Sequence, residues 1–215
     1  MKEMTNGIYK DGREIFTVNA VPGSKVYGEQ IIKKDREYRH WDPTRSKLAA
    51  AILNCLKTEI RPGAKILYLG ASTGTTPSHL SDIIGAGGII YAVEFAERVF
   101  RSLLDLSEKR NNIAPFLADS RKPETYGWIE NVDIVYCDIA QPDETEIAIR
   151  NAKIFLKKDG LLMIAIKSQS IDVTKKPDDV YKTEAEKLKR AGFNVLQLID
   201  LEPYEEKHGF IAASL

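Results

Sequence analysis

Three carboxylates and one amine stand at the ends of short apolar runs in this sequence. Glu94 follows residues 89–93, Asp119 closes the run 113–117, Asp138 follows 132–137, and Lys167 follows 161–166. A second amine, Lys47, falls in the first or second turn of a helix-patterned stretch. A lysine near another lysine in a low dielectric has its pKa lowered toward that of a working base. A carboxylate beside it orients the amine and balances its charge. Asp138 with Lys167 therefore suits removal of a proton from a hydroxyl that attacks an electrophilic methyl group. Taken singly, each residue also fits a solvated surface charge. Carboxylates on three successive strand ends are harder to reach by accident, and they line the crevice where open α/β sheets bind ligands.

The ligand for that crevice is indicated by residues 65–76, an apolar run that passes into Gly70-Ala71-Ser72-Thr73-Gly74-Thr75-Thr76. Residues 66–69 read as a buried parallel strand. Gly70 and Gly74 permit a sharp turn with close backbone approach, and Thr75 or Thr76 can cap the next helix with Pro77 in its first turn. Counting from Gly70, a dinucleotide fingerprint needs glycines at Ser72 and Thr75, and a phosphate loop needs a glycine at Thr75 followed by lysine. Both fail. The remaining G-x-x-x-G, with no basic residue nearby, suits a ligand without phosphates such as S-adenosylmethionine; it also fits an ordinary strand-to-helix turn. Glu94, about twenty residues on, can accept both ribose hydroxyls.

The elements that must position these groups follow from periodicity. Residues 6–21 alternate around Asp11-Gly12, which signals a hairpin; Pro22-Gly23 makes another turn, and residues 25–34 suggest a further strand pair. Residues 1–42 thus form a small β-rich unit, and 43–215 the main domain. Pro43 can start a helix with Leu48, Ala49, Ile52, Leu53 and Leu56 inward, stopped by Arg61-Pro62-Gly63. Helices are expected after each strand: one with Leu80, Ile83 and Ile84 inward, one over 96–110 with Val99, Phe100, Leu103, Leu104 and Leu106, one over 143–157 with Ile147, Ile149, Ala152, Ile154 and Phe155, and one over 178–191 with Ala185 and Leu188. The polar stretch 168–179 reads as a functional loop. Residues 195–201 and 210–213 read as a closing antiparallel pair. The sum is an α/β fold: a doubly wound, mostly parallel, seven-stranded Rossmann-like sheet of the class I methyltransferase type, mixed at one edge, with a small N-terminal β unit.

Lys+Arg and Asp+Glu both number 31, so the net charge is zero and a purely electrostatic nucleic-acid binder is not indicated. Residues 1–50 carry ten Lys/Arg against seven Asp/Glu, with the excess between Lys33 and Lys47. Cys55 and Cys137 fit no metal spacing and read as buried, reduced thiols. The expectation is a cytoplasmic protein with no metal and no membrane association.

Several blocks together resemble the fibrillarin family. They are residues 69–76, Tyr91-Ala92-Val93-Glu94-Phe95, Asp138-Ile139-Ala140-Gln141-Pro142-Asp143, Glu202-Pro203-Tyr204-Glu205, and 41–52 beginning Trp41-Asp42-Pro43. The resemblance covers nearly the whole chain in order. Without a glycine-arginine-rich tail, the chain is similar to the short archaeal form. The resemblance implies an RNA 2′-O-methyltransferase acting on rRNA and tRNA in a box C/D guide particle, in the cytoplasm of a cell without a nucleus. The implied partners are a Nop-type scaffold protein, a kink-turn-binding protein of the ribosomal-protein type, guide RNA and target RNA. The implied cofactor is S-adenosylmethionine. Thr75 and Thr76 would hold its amino-acid end, Glu94 its ribose, Phe95 the adenine face and Asp119 the adenine amino group. Asp138, Ile139, Ala140 and Gln141 would line the methionine side, with Gly70, Ala71 and Ser120 also at the site. Lys47, Asp138, Lys167 and His208 match the catalytic group, although Lys207 stands where an acid is usual. Two other readings compete. Intact Glu94, Asp119, Asp138 and Lys167 argue against a non-catalytic particle component. The lack of a metal-ligand cluster and the basic stretch at 33–47 disfavour a small-molecule O-methyltransferase. A run Asp138-Ile139-Ala140-Gln141-Pro142 also lacks the Asn/Asp-Pro-Pro-aromatic pattern of adenine nitrogen methylation.

Overall fold

The computed structural model describes residues 1–58 and 60–215. The chain begins with five short strands: β1 (Lys2–Thr5), β2 (Ile8–Asp11), β3 (Glu14–Val18), β4 (Ile31–Lys33) and β5 (Glu37–His40). They form an antiparallel sheet in the order β1-β2-β3-β5-β4. The expected hairpin at Asp11-Gly12 joins β2 and β3, with Asp11 opposite Glu14. β1 is an element that the sequence reading did not assign. Its turn is Asn6-Gly7, both at positive φ, which is the dipeptide that a two-residue hairpin turn favours. The strand pair expected over 25–34 lies further along, at β4 and β5, because residues 25–30 are held instead around the buried Glu29, which accepts amide hydrogens from Val26 and Tyr27.

The main sheet is built from β6 (Lys65–Leu69), β7 (Ile89–Glu94), β8 (Ile113–Leu117), β9 (Val132–Cys137), β10 (Leu156–Lys167), β11 (Asn194–Asp200) and β12 (His208–Ser214). Its order is β11-β12-β10-β9-β6-β7-β8, and β12 runs antiparallel to both of its neighbours. Period-two alternation assigns the two faces. Ile66, Tyr68, Ile90, Ala92 and Tyr136 pack on one side, against α1 (Lys47–Leu53), α2 (Thr75–Ile84) and α3 (Glu97–Lys109). Leu67, Leu69, Val93, Val135 and Cys137 pack on the other, where α4 (Glu144–Phe155) and α6 (Pro177–Arg190) supply Ala148, Ala152, Phe155, Val180, Ala185 and Leu188. Leu104 and Ile154, expected inward, are exposed because they fall off the buried stripe of their helices. Between β10 and α6, the expected loop contains a four-residue helical turn, α5 (Ser168–Ile171).

Several expected boundaries shift for identifiable reasons. Pro43 does not start α1: Asp42 takes the amide and hydroxyl of Thr44 into a local turn, and Ser46 becomes the N-cap. α1 ends at Asn54, well before Arg61, as Cys55 turns to positive φ. That turn also exposes Cys55, which the sequence pattern placed inside. α2 is capped by Gly74 in the left-handed region, so Thr75 and Thr76 are its first helical residues and not its cap. No described helix is long and apolar enough to cross a membrane.

The N-terminal sheet meets α2 through buried charge. Arg39 donates to Glu29 at 2.6 Å and to Asp82 at 2.8 Å, and Arg110 donates to the other Asp82 oxygen at 2.6 Å. All four side chains are essentially buried. Asp82 also accepts the Thr17 hydroxyl at 2.7 Å and the Ala20 amide at 2.9 Å. His79, stacked on Trp41 at 4.9 Å, lies 2.8 Å from both the Thr17 and the Tyr27 hydroxyls. Burial, then Arg39 and Arg110, push its pKa well down, so it is a neutral ring. Removing one partner of such a buried set leaves uncompensated charge, whereas exposed pairs contribute little. Arg39→Met should therefore lower the unfolding free energy by about 3–5 kcal/mol in chemical denaturation. A loss under about 1 kcal/mol would place Arg39 in the class of surface pairs.

Candidate active site

The carboxyl ends of β6, β7, β8 and β9 open into one cavity of about 260 Å³. Its lining includes Gly70, Glu94, Phe95, Asp119, Ser120, Asp138, Ile139, Ala140 and Gln141, all singled out from the sequence. Ser72, Arg121 and Ile147 also line it and were not foreseen. Ala71, Thr75 and Thr76 were expected there but are not among the lining residues; Ala71 and Thr76 are turned into the interior.

Gly70 has a steric reason for its identity. It lies at φ 81°, and a Cβ there would sit 2.4 Å from the Asp138 carbonyl oxygen. The ends of β6 and β9 approach this closely because the Asp138 amide donates to the Leu69 carbonyl at 2.9 Å. At Gly74, φ 90°, a Cβ would meet Leu106 at 2.3 Å, so the turn also packs directly on α3.

Glu94 is nine-tenths buried and oriented by backbone alone. Its Oε2 accepts the Ser72 amide at 2.7 Å, and its Oε1 accepts those of Phe95 at 2.8 Å and Ala96 at 2.7 Å. The carboxylate is thus fixed in place before any ligand arrives. Phe95 beside it is 67% exposed, a ring with no protein partner covering it. Asp119 is gripped by the Arg121 guanidinium, Nε at 3.0 Å and Nη2 at 2.9 Å, which holds its pKa below the usual carboxylate range. Arg121 has no periodicity or motif to announce it; only its placement two residues beyond Asp119 in a turn creates the fork.

Of the four catalytic candidates, Asp138 lines this cavity, Lys47 pairs with it, and the charges of Lys47 and Lys167 both act on His208. Lys47 Nζ lies 2.9 Å from Asp138 Oδ1. Burial acts to lower the Lys47 pKa, but the Asp138 charge and hydrogen bond outweigh it, and the net direction is up. This corrects the expected pairing: Asp138 engages Lys47, and Lys47 is a held cation rather than a lysine tuned to lose its proton. Among the described residues, no carboxylate lies within ion-pair distance of Lys167. Lys167 and His208 stand opposite each other at the ends of β10 and β12. His208 Nδ1 lies 2.7 Å from the Glu206 carbonyl, which can only accept, so Nδ1 carries the proton and Nε2 keeps its lone pair. Burial, and after it the charges of Lys47 and Lys167, lower the His208 pKa and keep the ring neutral. Lys207, the departure noted in the sequence, is at φ 58° and contributes its carbonyl, which accepts the Ser168 amide at 3.2 Å and hydroxyl at 2.9 Å.

Lys47 is positioned by its neighbours in α1. Ser46 caps the helix by accepting the Ala49 amide, and its Oγ lies 2.9 Å from the Thr76 hydroxyl of α2. A serine directly before an apolar-periodic run is an N-cap signature, so this contact had a sequence signal. A cation at the first position of a helix opposes the helix dipole, and here Asp138 offsets that cost.

A family profile described as Fibrillarin matches residues 1–215. A fibrillarin-like rRNA/tRNA 2′-O-methyltransferase of Sulfolobus acidocaldarius is 54% identical over 208 residues, covering 95% of this chain and 90% of that one. The structure of Aeropyrum pernix fibrillarin in complex with natively bound S-adenosyl-L-methionine superposes with a TM-score of 0.87 at 48% identity, covering 93% of this chain and 88% of that one. A fibrillarin chain solved in complex with Nop5p superposes at 0.91 with 42% identity, covering 99% of each. With the sheet order and N-terminal unit described above, these matches agree on one assignment: the chain belongs to the fibrillarin family.

Proposed function

We propose that this protein is an RNA 2′-O-ribose methyltransferase that uses S-adenosylmethionine and works in the cytoplasm on rRNA and tRNA, inside a box C/D guide ribonucleoprotein. The observation that carries the reading is the Lys47–Asp138 pair at 2.9 Å, set at the rim of a cavity lined by Glu94, Asp119 and Phe95. The names of its relatives support the same reaction. The cavity also suits this cofactor. Among the described lining residues the one lysine or arginine is Arg121, which is paired with Asp119, while a preoriented carboxylate and an open aromatic ring suit a ribose and an adenine.

When bound, S-adenosylmethionine supplies a sulfonium methyl, which passes to the 2′-oxygen as the carbon–sulfur bond breaks. Glu94 would accept from the ribose hydroxyls, Phe95 would cover the base, and Asp119, held by Arg121, would receive its amino group. Asp138, held by Lys47, Ile139, Ala140 and Gln141 line the methionine side. Lys167, as the neutral amine, would accept the single proton leaving the 2′-hydroxyl, and the unprotonated Nε2 of His208 would take a hydrogen bond from the resulting ammonium rather than from the hydroxyl. Lys47 remains a cation and fixes the Asp138 carboxylate.

Target choice is assigned to partners. The chain has no net charge, and phosphate contacts dominate nucleic-acid affinity. A Nop-type scaffold is supported by the Nop5p complex of a relative, and a kink-turn-binding protein and guide RNA complete the proposed particle. The purified chain should methylate target RNA barely or not at all, while scaffold, kink-turn protein and guide RNA together should produce methylation at one guide-specified 2′-hydroxyl. Site-specific methylation by the isolated chain would overturn the guided reading.

Two substitutions separate binding from chemistry. Glu94→Ala should weaken S-adenosylmethionine binding in calorimetry by about 1.5–3 kcal/mol, the scale of a charge-assisted hydrogen bond; unchanged affinity would remove Glu94 from the ribose. Lys167→Ala should leave that affinity largely intact while turnover on saturating RNA falls by about two to four decades, because proton removal matters in the transition state. Near-normal turnover would make Lys167 a bystander.

A further inference from the structure

Glu144 takes no part in the reading above, does not line the cavity, and is wholly buried at the first position of α4. Its Oε1 accepts the backbone amide of Lys167 at 3.1 Å. The sheet explains why that amide needs a side chain. β9 ends at Cys137, opposite Ile164, so β10 runs three residues past the last paired position of its parallel neighbour. The Lys167 amide points to the side that β9 has vacated. A part-buried amide left without an acceptor would be destabilising.

We propose that Glu144 is a positioning residue for Lys167, its carboxyl taking the place of the missing strand and fixing the backbone from which the lysine amine is presented. The inference rests on the reading of Lys167 as the proton acceptor.

The carboxyl does this in neutral form. Facing it are Lys47 from α1, Cys137 and Asp138 from the end of β9, Lys167 from β10 and Glu184 from α6, with Lys187 bound to the other oxygen of Glu184 at 3.0 Å. Burial first, then the charges of Asp138 and Glu184, push the Glu144 pKa up to about 9, against the opposing pull of the Lys167 amide and Lys47. Two buried carboxyl oxygens, Glu144 Oε2 and Glu184 Oε2, lack a hydrogen-bond partner, which is where a retained proton has room to sit. A neutral group can be replaced by an amide of the same shape. Glutamine keeps an oxygen for the Lys167 amide and adds no charge beside Asp138.

The test uses the reconstituted guide particle at saturating S-adenosylmethionine and target RNA, with Glu144→Gln, Glu144→Ala and, as a control, Lys167→Ala. Glu144→Ala should lower kcat about tenfold through misplacement of the amine, with the KM for target RNA and the calorimetric cofactor affinity unchanged. Glu144→Gln should restore kcat to within about twofold of wild type at neutral pH. Its pH–rate profile should also lack the inflection near pH 9 that ionisation of Glu144 gives the wild type, since a buried negative charge holds protons on neighbouring amines. Wild-type kcat in Glu144→Ala, or Glu144→Gln as slow as Glu144→Ala, overturns the proposal. Should Glu144→Ala fail to fold, Glu144→Leu, which also lacks an acceptor for the Lys167 amide, takes its place: equal kcat in Glu144→Leu and Glu144→Gln overturns the proposal. Normal turnover in Lys167→Ala would instead show that the underlying reading of Lys167 had failed.

Discussion

Asp82 is the charge on which the arrangement of this molecule depends. It lies on α2 with its side chain fully buried, and each of its oxygens receives a guanidinium, Arg39 from the N-terminal sheet and Arg110 from the end of α3. Arg110 has Asp82 as its buried counter-ion, Arg39 is shared between Asp82 and Glu29, and Asp82 in turn is balanced by both cations. Directional bonds of this kind allow one docking of the N-terminal sheet, where apolar contact alone would tolerate many. α2 is therefore clamped along one flank, and its other end is the glycine turn that closes on the cavity. The clamp and the cavity are two ends of one ten-residue helix.

From there the geometry passes through short links. Gly74 seats the start of α2 on Leu106, Thr76 meets Ser46, and Ser46 starts the helix whose first residue is Lys47. Lys47 then reaches Asp138, whose backbone is pinned to Leu69. Each link is a hydrogen bond or a steric stop between different elements, so the rim of the site is defined by the packing of α1 on α2 as much as by the sheet. The N-terminal unit, small as it is, takes part in this by holding α2 in place. That gives a physical reason for it to fold with the main domain as one body: Ile8, Ile15 and Trp41 belong to the same core as Ile66 and Ile90.

Most of the frame was legible in the sequence. β8 and β9 fall at the expected residues because each is a short, mostly apolar run bounded by polar turns, with Asp133 the one charged residue inside β9. The ligand-facing carboxylates were legible because strand ends in an open α/β sheet point to one crevice. Legibility stopped where partners come from distant parts of the chain. Nothing local tells that Asp138 pairs with Lys47 and leaves Lys167 unpaired, or that Arg121 folds back on Asp119. Glu144 looks like an ordinary acidic residue at a helix start, where the dipole favours its charge; only its burial beside Asp138 and Glu184 reverses that. Thr75 and Thr76 had the right chemistry for a cap, but Gly74 took that position because the turn demanded positive φ.

The insertion of β12 between β10 and β11 orders the events of folding. β10 and β11 are made first and cannot pair with each other in the finished sheet; each waits with an open edge for a strand that follows both in sequence. Open strand edges recruit other chains, so a chain without β12 would leave open a β10 edge that the finished sheet covers. β12 also carries His208 to its place opposite Lys167. Closure of the vulnerable edge and completion of the proposed catalytic group are therefore the same step, and a nascent chain caught before that step is both sticky and inert.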